Sequence, residues 1–199
     1  MKPLRPLAAG VLAAIALNML TGTGTASTAL FTGVTKLPGG TVINASLALG
    51  TSALLSTTDG KSIVDKCTTS DYYGETNFTT SISITSHGSS TTWKNCSFTT
   101  HNETTGNISV SWISGTNDGT LTGAFGKTKI NIGVECMYGT GGGAHLGTLK
   151  GKLLMSEHAR IVINAVINEQ EPKQFLCPDT TKWTAEYVVN SPTGLNVGP

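Results

Sequence analysis

The sequence predicts an all-β protein, an antiparallel β-sandwich or flattened barrel of about ten strands. Three observations carry that expectation. Apolar and polar residues alternate with a period of two along most of the chain, which places one face of a strand on a core and the other in water. Glycine-bearing turn sequences separate the alternating runs,. No stretch reads convincingly as helix. The strongest rival lies in residues 151–170, where Ile161, Val162, Ile163, Val166 and Ile167 are β-branched and so favour strand.

In chain order, residues 1–29 read as a secretory signal peptide. Lys2 and Arg5 supply its positive start, Leu7 to Leu20 its apolar core, and TGTGTASTA the small residues that permit cleavage after Ala26 or Ala29,. The apolar core falls short of the roughly 20 residues that cross a bilayer. Residues 30–199 then form a single all-β domain. PGGTVINASLALGTSALLSTTDG looks like its first hairpin, and TTDGK (57–61) is a turn in which glycine tolerates positive φ,. FTTSISIT turns Phe78, Thr80, Ile82 and Ile84 to one face, and SHGSS punctuates the chain after it. GNISVSWIS turns Ile108, Val110 and Trp112 inward ahead of the hairpin signal TNDGT (116–120),. After GAFGK, KTKINIGVECMY reads as one strand with Ile130, Ile132, Val134 and Cys136 inside and Gly133 outside. TKWTAEYVV buries Trp183, Ala185, Tyr187 and Val189. The ending NSPTGLNVGP reads as a frayed C-terminal tail or a short edge strand,.

Composition excludes several partners. The whole chain holds 13 basic and 12 acidic residues; Lys2 and Arg5 leave with the signal, so 11 bases face 12 acids and Arg160 is the remaining arginine. That balance offers no nucleic-acid-binding face and no polybasic patch for anionic lipid. Serine and threonine, about a quarter of the chain, supply solubility instead. No stable membrane anchor is expected after signal cleavage, and the state is monomer or weak oligomer.

Four cysteines, Cys67, Cys96, Cys136 and Cys177, in an exported chain read as two disulfides with three possible connectivities. Sequence adjacency favours Cys67–Cys96 with Cys136–Cys177. No Cys-x-x-Cys or Cys/His spacing suits zinc, no acidic loop suits calcium, and no cofactor is expected. The glycine run GTGGGA (139–144) is read as a turn, because no helix follows to aim amides at a phosphate.

A catalytic set does not assemble. His87, His101 and His158 read as solvated residues, and no nucleophile elbow occurs. Asp71, Glu75, Glu103, Asp118 and Glu135 are scattered, without the paired environment glycoside cleavage needs. The sequons at Asn44, Asn77, Asn95, Asn102 and Asn107 read as incidental to a bacterial chain rich in Asn, Ser and Thr. The tryptophans read chiefly as core. Tyr72 and Tyr73, in DYYGE and expected in a loop, and His145, beside the glycine run, are the candidate binding residues,.

The runs LPGGTVINASLALGTSALLSTTDG, CMYGTGGGAHLGTLKG and INAVINEQEPKQFLCPDTTKWTAEYVVNSPTGLNV resemble a family of small exported bacterial proteins, well represented in actinobacteria, that share this four-cysteine layout. The resemblance implies export, disulfides and an all-β fold, and no established activity or functional residue. The sequence therefore points to a secreted or cell-surface, non-enzymatic protein with an unknown ligand or surface partner, acting by envelope association, adhesion or binding of an apolar ligand. The alternatives are an exported polysaccharide hydrolase and an edge-assembling structural subunit.

Overall fold

The computed structural model describes residues 28–76, 82–85, 91–102, 106–124 and 127–199. Strands account for its regular structure. The first half holds β1 (Ala29–Thr32), β2 (Thr35–Lys36), β3 (Val42–Leu47), β4 (Ala53–Thr57), β5 (Ile63–Glu75), β6 (Ile82–Thr85), β7 (Thr91–Cys96) and β8 (Thr99–Asn102). The second half holds β9 (Asn107–Trp112), β10 (Gly119–Ala124), β11 (Thr128–Asn131), β12 (Glu135–Gly139), β13 (Ala144–Lys150), β14 (Arg160–Glu169), β15 (Thr180–Ser191) and β16 (Leu195–Gly198). The sixteen strands among the described residues exceed the ten expected because several lines of the sheet are interrupted.

β3 and β4 are the clearest case. They lie end to end between β5 and β15, with β5 pairing β3 at Val42↔Glu75 and β4 at Ala53↔Cys67. On their other side β15 pairs β3 at Tyr187↔Leu47 and β4 at Trp183↔Leu55. The expected first hairpin is thus one line broken by residues 48–52. β12 and β13 repeat the device beside β14, at Tyr138↔Glu169 and Leu149↔Ile161. β8 and β9 form one tandem line and β10 and β11 the next, with β9 pairing β10 and β8 pairing β11, and β10 and β11 pair in turn with β13 and β12. β6 and β7, on either side of residues 86–90, pair with β9 and β5.

Eight antiparallel lines result, in chain order: β3/β4, β5, β6/β7, β8/β9, β10/β11, β12/β13, β14 and β15. Each pairs with the next, and β15 returns to the first. Of the two forms expected, the pairings realise the closed one, an up-and-down barrel. Its lumen is wide enough for side chains to fill or for one small ligand.

The alternation read from sequence sets the inside. Trp183, Ala185, Tyr187 and Val189 are buried, as are Ile108 and Val110, while Trp112 is half-buried. Outward positions carry Lys66, Asp71, Asn164, Lys182 and Glu186, the reverse of a lipid-facing barrel wall. No helix among the described residues is long and apolar enough to cross a membrane.

Two turns differ from expectation. Residues 132–134 are a hairpin, with Gly133 at φ 100° and Ile132 N donating to Val134 O at 3.0 Å. The turn preserves the parity of the inward set, so KTKINIGVECMY reads as continuous alternation across it. TNDGT does close the β9–β10 hairpin, but the positive φ, 77°, belongs to Gly115. Gly119 sits in strand, where a Cβ would lie 2.5 Å from Val110 Cγ1. TTDGK behaves as expected, with Gly60 at φ 71° and Gly60 N donating to Thr57 O at 2.8 Å.

Of the two forms expected for the tail, it takes the short edge strand, β16, and not the frayed end. β16 pairs with β1 and β1 with β2 in a small second sheet. Leu30, Leu195 and Val197 are buried there, and Val197 N donates to Asn117 O at 3.0 Å. This sheet covers the barrel end that carries residues 113–118 and 151–159. The opposite end carries the turns at 58–62, 97–98 and 132–134 and the long loop 170–179.

Both disulfides match the favoured pairing. Cys67–Cys96 joins facing residues of β5 and β7, with Cα atoms 3.9 Å apart. Cys136–Cys177 ties loop 170–179 to β12. The described cysteines are all bonded.

Candidate ligand cavity

At the end away from the small sheet, all eight lines contribute to one internal cavity of about 40 Å³, counted as space open to the centre of a water-sized sphere. One water fills only roughly 10–15 Å³, so the space takes several water-sized groups. Its walls include Leu55, Trp93, Ile130, Tyr138, Ile167 and Trp183. Small residues open it: Ala53 on β4 and Gly139 on β12 leave room where larger side chains would meet. The other half of the lumen is filled by Tyr72, Tyr187, Ile43 and Leu121, with Tyr187 Oη bonded to Ser70 Oγ at 2.9 Å.

Trp93 of β7 and Trp183 of β15 meet edge to face across the lumen, ring centroids 5.6 Å apart. The pair accords with the core role expected for the tryptophans, and it also forms cavity wall. Trp93 is half-buried and borders a shallow concavity on the outside of the β7–β8 turn.

Thr100, Thr128, Tyr138 and Asp65 interrupt the apolar walls, and two of these four bear on a ligand. Tyr138 is fully buried, and its hydroxyl has no hydrogen-bond partner among the described residues. Burial raises its pKa above the ordinary tyrosine value, and the nearby charges of Glu169 and Asp179 add to the rise. The group therefore stays a neutral hydroxyl with a proton to donate. Asp65 is the second, 3% exposed. Its carboxylate accepts from the amides of Lys66 at 2.8 Å and Phe98 at 3.1 Å and from the Thr100 hydroxyl. Asp65, Cys67 and Cys96 lie close enough together to suggest a metal cluster. The two sulfurs are bonded to each other, which removes the thiolates a metal would need.

The candidates named from sequence lie elsewhere. Tyr72 and Tyr73 are in β5 and not in a loop. Tyr72 is buried in the filled half, its pKa raised by burial. Tyr73 turns outward and donates to Glu75 Oε1 at 3.3 Å. His145 is exposed on β13. None of the three lines the cavity. His101 is exposed on β8, His158 Nδ1 lies 2.7 Å from Val189 O, and His87 is outside the described residues, as are residues 78–81 of FTTSISIT and all of SHGSS. The glycine run joins β12 to β13, its Gly141, Gly142 and Gly143 standing in open space.

Asp65 and Tyr138 were missed from sequence, though parity held a signal for each. Asp65 shares its strand face with Cys67, whose sulfur must reach a partner, and Tyr138 extends the inward series that ends at Cys136.

Fold and site together define a disulfide-stapled antiparallel barrel with an apolar cavity behind one mouth. Compared with known proteins, the chain matches no family model, no curated protein and no solved structure.

Proposed function

We propose that the protein is an exported, non-enzymatic binding barrel of the four-cysteine kind, holding a small, largely apolar ligand in this cavity. The observation that carries the reading is Tyr138. A buried hydroxyl without a partner costs about 1–3 kcal/mol, and a ligand bearing one acceptor offsets that cost. Of the alternatives, the hydrolase finds little support, since Asp65 is the one carboxylate among the described residues that line the cavity and glycoside cleavage needs two. Edge-to-edge assembly finds little either, because closure of the ring at β15 leaves no open edge there,.

Xenon, an apolar probe for dry cavities, tests the reading. Under xenon pressure the methyl resonances of Leu55, Ile130 and Ile167 should shift saturably, while those of Ile43 and Leu121 hold still. No shift at the first three would sink the ligand reading.

Export has its own test. Thr28 Oγ1 accepts from Trp112 N at 3.0 Å, and Ala29 is buried opposite Gly198. Cleavage after Ala29 would remove both, so the exported chain should begin at Ser27. Its denatured mass should lie about 4 Da below that of its reduced form, two hydrogens per bond. A full-length mass with four thiols would contradict export.

A further inference from the structure

Among the described residues, the cavity wall carries one charged group and no opposite charge to match it. Among the described residues Asp65 forms no ion pair with a lysine, arginine or histidine. Lys66 points outward and is exposed, and Lys129 is engaged by Glu135 at 3.4 Å. Three hydrogen bonds compensate the carboxylate with dipoles only, and a carboxylate withdrawn from water favours a cation beside it. Three aromatic residues, Trp93, Trp183 and Tyr138, line the same cavity, and aromatic faces attract cations once water is excluded.

We propose that the cavity recognises a small organic cation, a methylated ammonium group, between the Asp65 carboxylate and the rings of Trp93, Trp183 and Tyr138. The proposal rests on the ligand-holding reading of the cavity and assigns that ligand its charged group; the acceptor for the Tyr138 hydroxyl belongs to the part of the ligand that carries the ammonium. Size agrees, since room for several water-sized groups suits a headgroup of about five heavy atoms. Charge agrees, since Asp65 repels an anion. Methylation follows from the walls: a bare ammonium is strongly hydrated and would leave donors facing Leu55, Ile130 and Ile167, whereas methyl groups pack on them.

The test is calorimetric titration of the exported, disulfide-intact chain with tetramethylammonium chloride and, in parallel, with tert-butanol, its uncharged near-isostere. Tetramethylammonium should bind at least about tenfold more tightly and perturb the tryptophan fluorescence. Asp65→Asn and Trp93→Leu should each weaken it by about the same factor. The wild-type comparison needs no variant, so a variant that fails to fold leaves the test intact. Equal binding of the two compounds, or an Asp65→Asn protein that folds and binds tetramethylammonium unchanged, overturns the proposal. Xenon entry without tetramethylammonium binding overturns the cation and leaves the ligand cavity standing; failure of xenon removes the cavity reading beneath it. Phosphatidylcholine vesicles added as competitor separate two sources of the group: displacement indicates a lipid headgroup, and its absence a free cation.

Discussion

Gly147→Ala is expected to destabilise the barrel by about 3 kcal/mol or more. Gly147 has φ 148°, a conformation open to glycine and very little else. A Cβ there would lie 1.9 Å from Val162 O and 3.0 Å from Ile163 Cα. The obstruction is backbone of the neighbouring strand β14, which cannot swing aside as a side chain would. Gly123 on β10 repeats the arrangement, with φ 148° and a Cβ position 2.0 Å from Asn107 O. Between these two strands the register shifts at Leu121/Thr122. Glycine kinks and bulges of this sort let a sheet bend tightly enough to close. Urea midpoints measure the effect, with Gly142→Ala as control. Gly142 has nothing within 4 Å of its Cβ position, so its change should stay within about 0.5 kcal/mol. Equal midpoints for the two variants would mean that the kink is not required for closure.

The same contrast shows what was legible in the sequence. The glycine run at 139–144 stands out, yet a side chain at Gly141 or Gly142 would meet nothing. Gly147, a few residues later and unremarkable in the pattern, is held between strands. Period two identified the inward faces because every line of the barrel buries one side, so Trp183, Ala185, Tyr187 and Val189 could be read directly. It could not show where lines break. At residues 132–134 the chain turns back into the next line, and at 48–52 it leaves its ladder and rejoins the same line; each place carries a glycine of positive φ, Gly133 and Gly50, so local composition does not tell the two apart. Closure itself depends on β15 meeting β3, residues more than a hundred apart in sequence,. The cavity was hidden for a related reason. It needs Ala53, Asp65, Trp93, Tyr138 and Trp183 to converge from five lines, and parity along any one line shows a single wall.

Reducing both disulfides is expected to lower Tm by roughly 15–25 °C. The bonds close loops of 29 and 41 residues, for which chain-entropy arguments give about 3.5–4 kcal/mol each. Their sum of about 7 kcal/mol is a large share of the 5–15 kcal/mol typical of a folded domain. Each bond also acts where the ladder is thin. Cys67–Cys96 fixes β7 onto β5 just before the chain turns at Ser97 and Phe98 into β8, so it secures the corner behind Asp65. Cys136–Cys177 holds loop 170–179 at the mouth, where Phe175 and Leu176 remain 102% and 65% exposed. Calorimetric melts of the disulfide-intact chain with and without reductant measure the sum, and the pairs Cys67→Ser/Cys96→Ser and Cys136→Ser/Cys177→Ser divide it. A reduced chain that melts within a few degrees of the oxidised one would place the stability in the closed ladder alone. The divided result also bears on the site. Opening Cys136–Cys177 frees the loop beside Tyr138 without touching the Asp65 corner, so it should speed xenon exchange at Ile130 and Ile167. Opening Cys67–Cys96 should instead weaken tetramethylammonium retention through Asp65 and Trp93. Two staples at one end of a barrel whose other end is covered by β1, β2 and β16 are what a cavity needs if its mouth is to stay formed while empty.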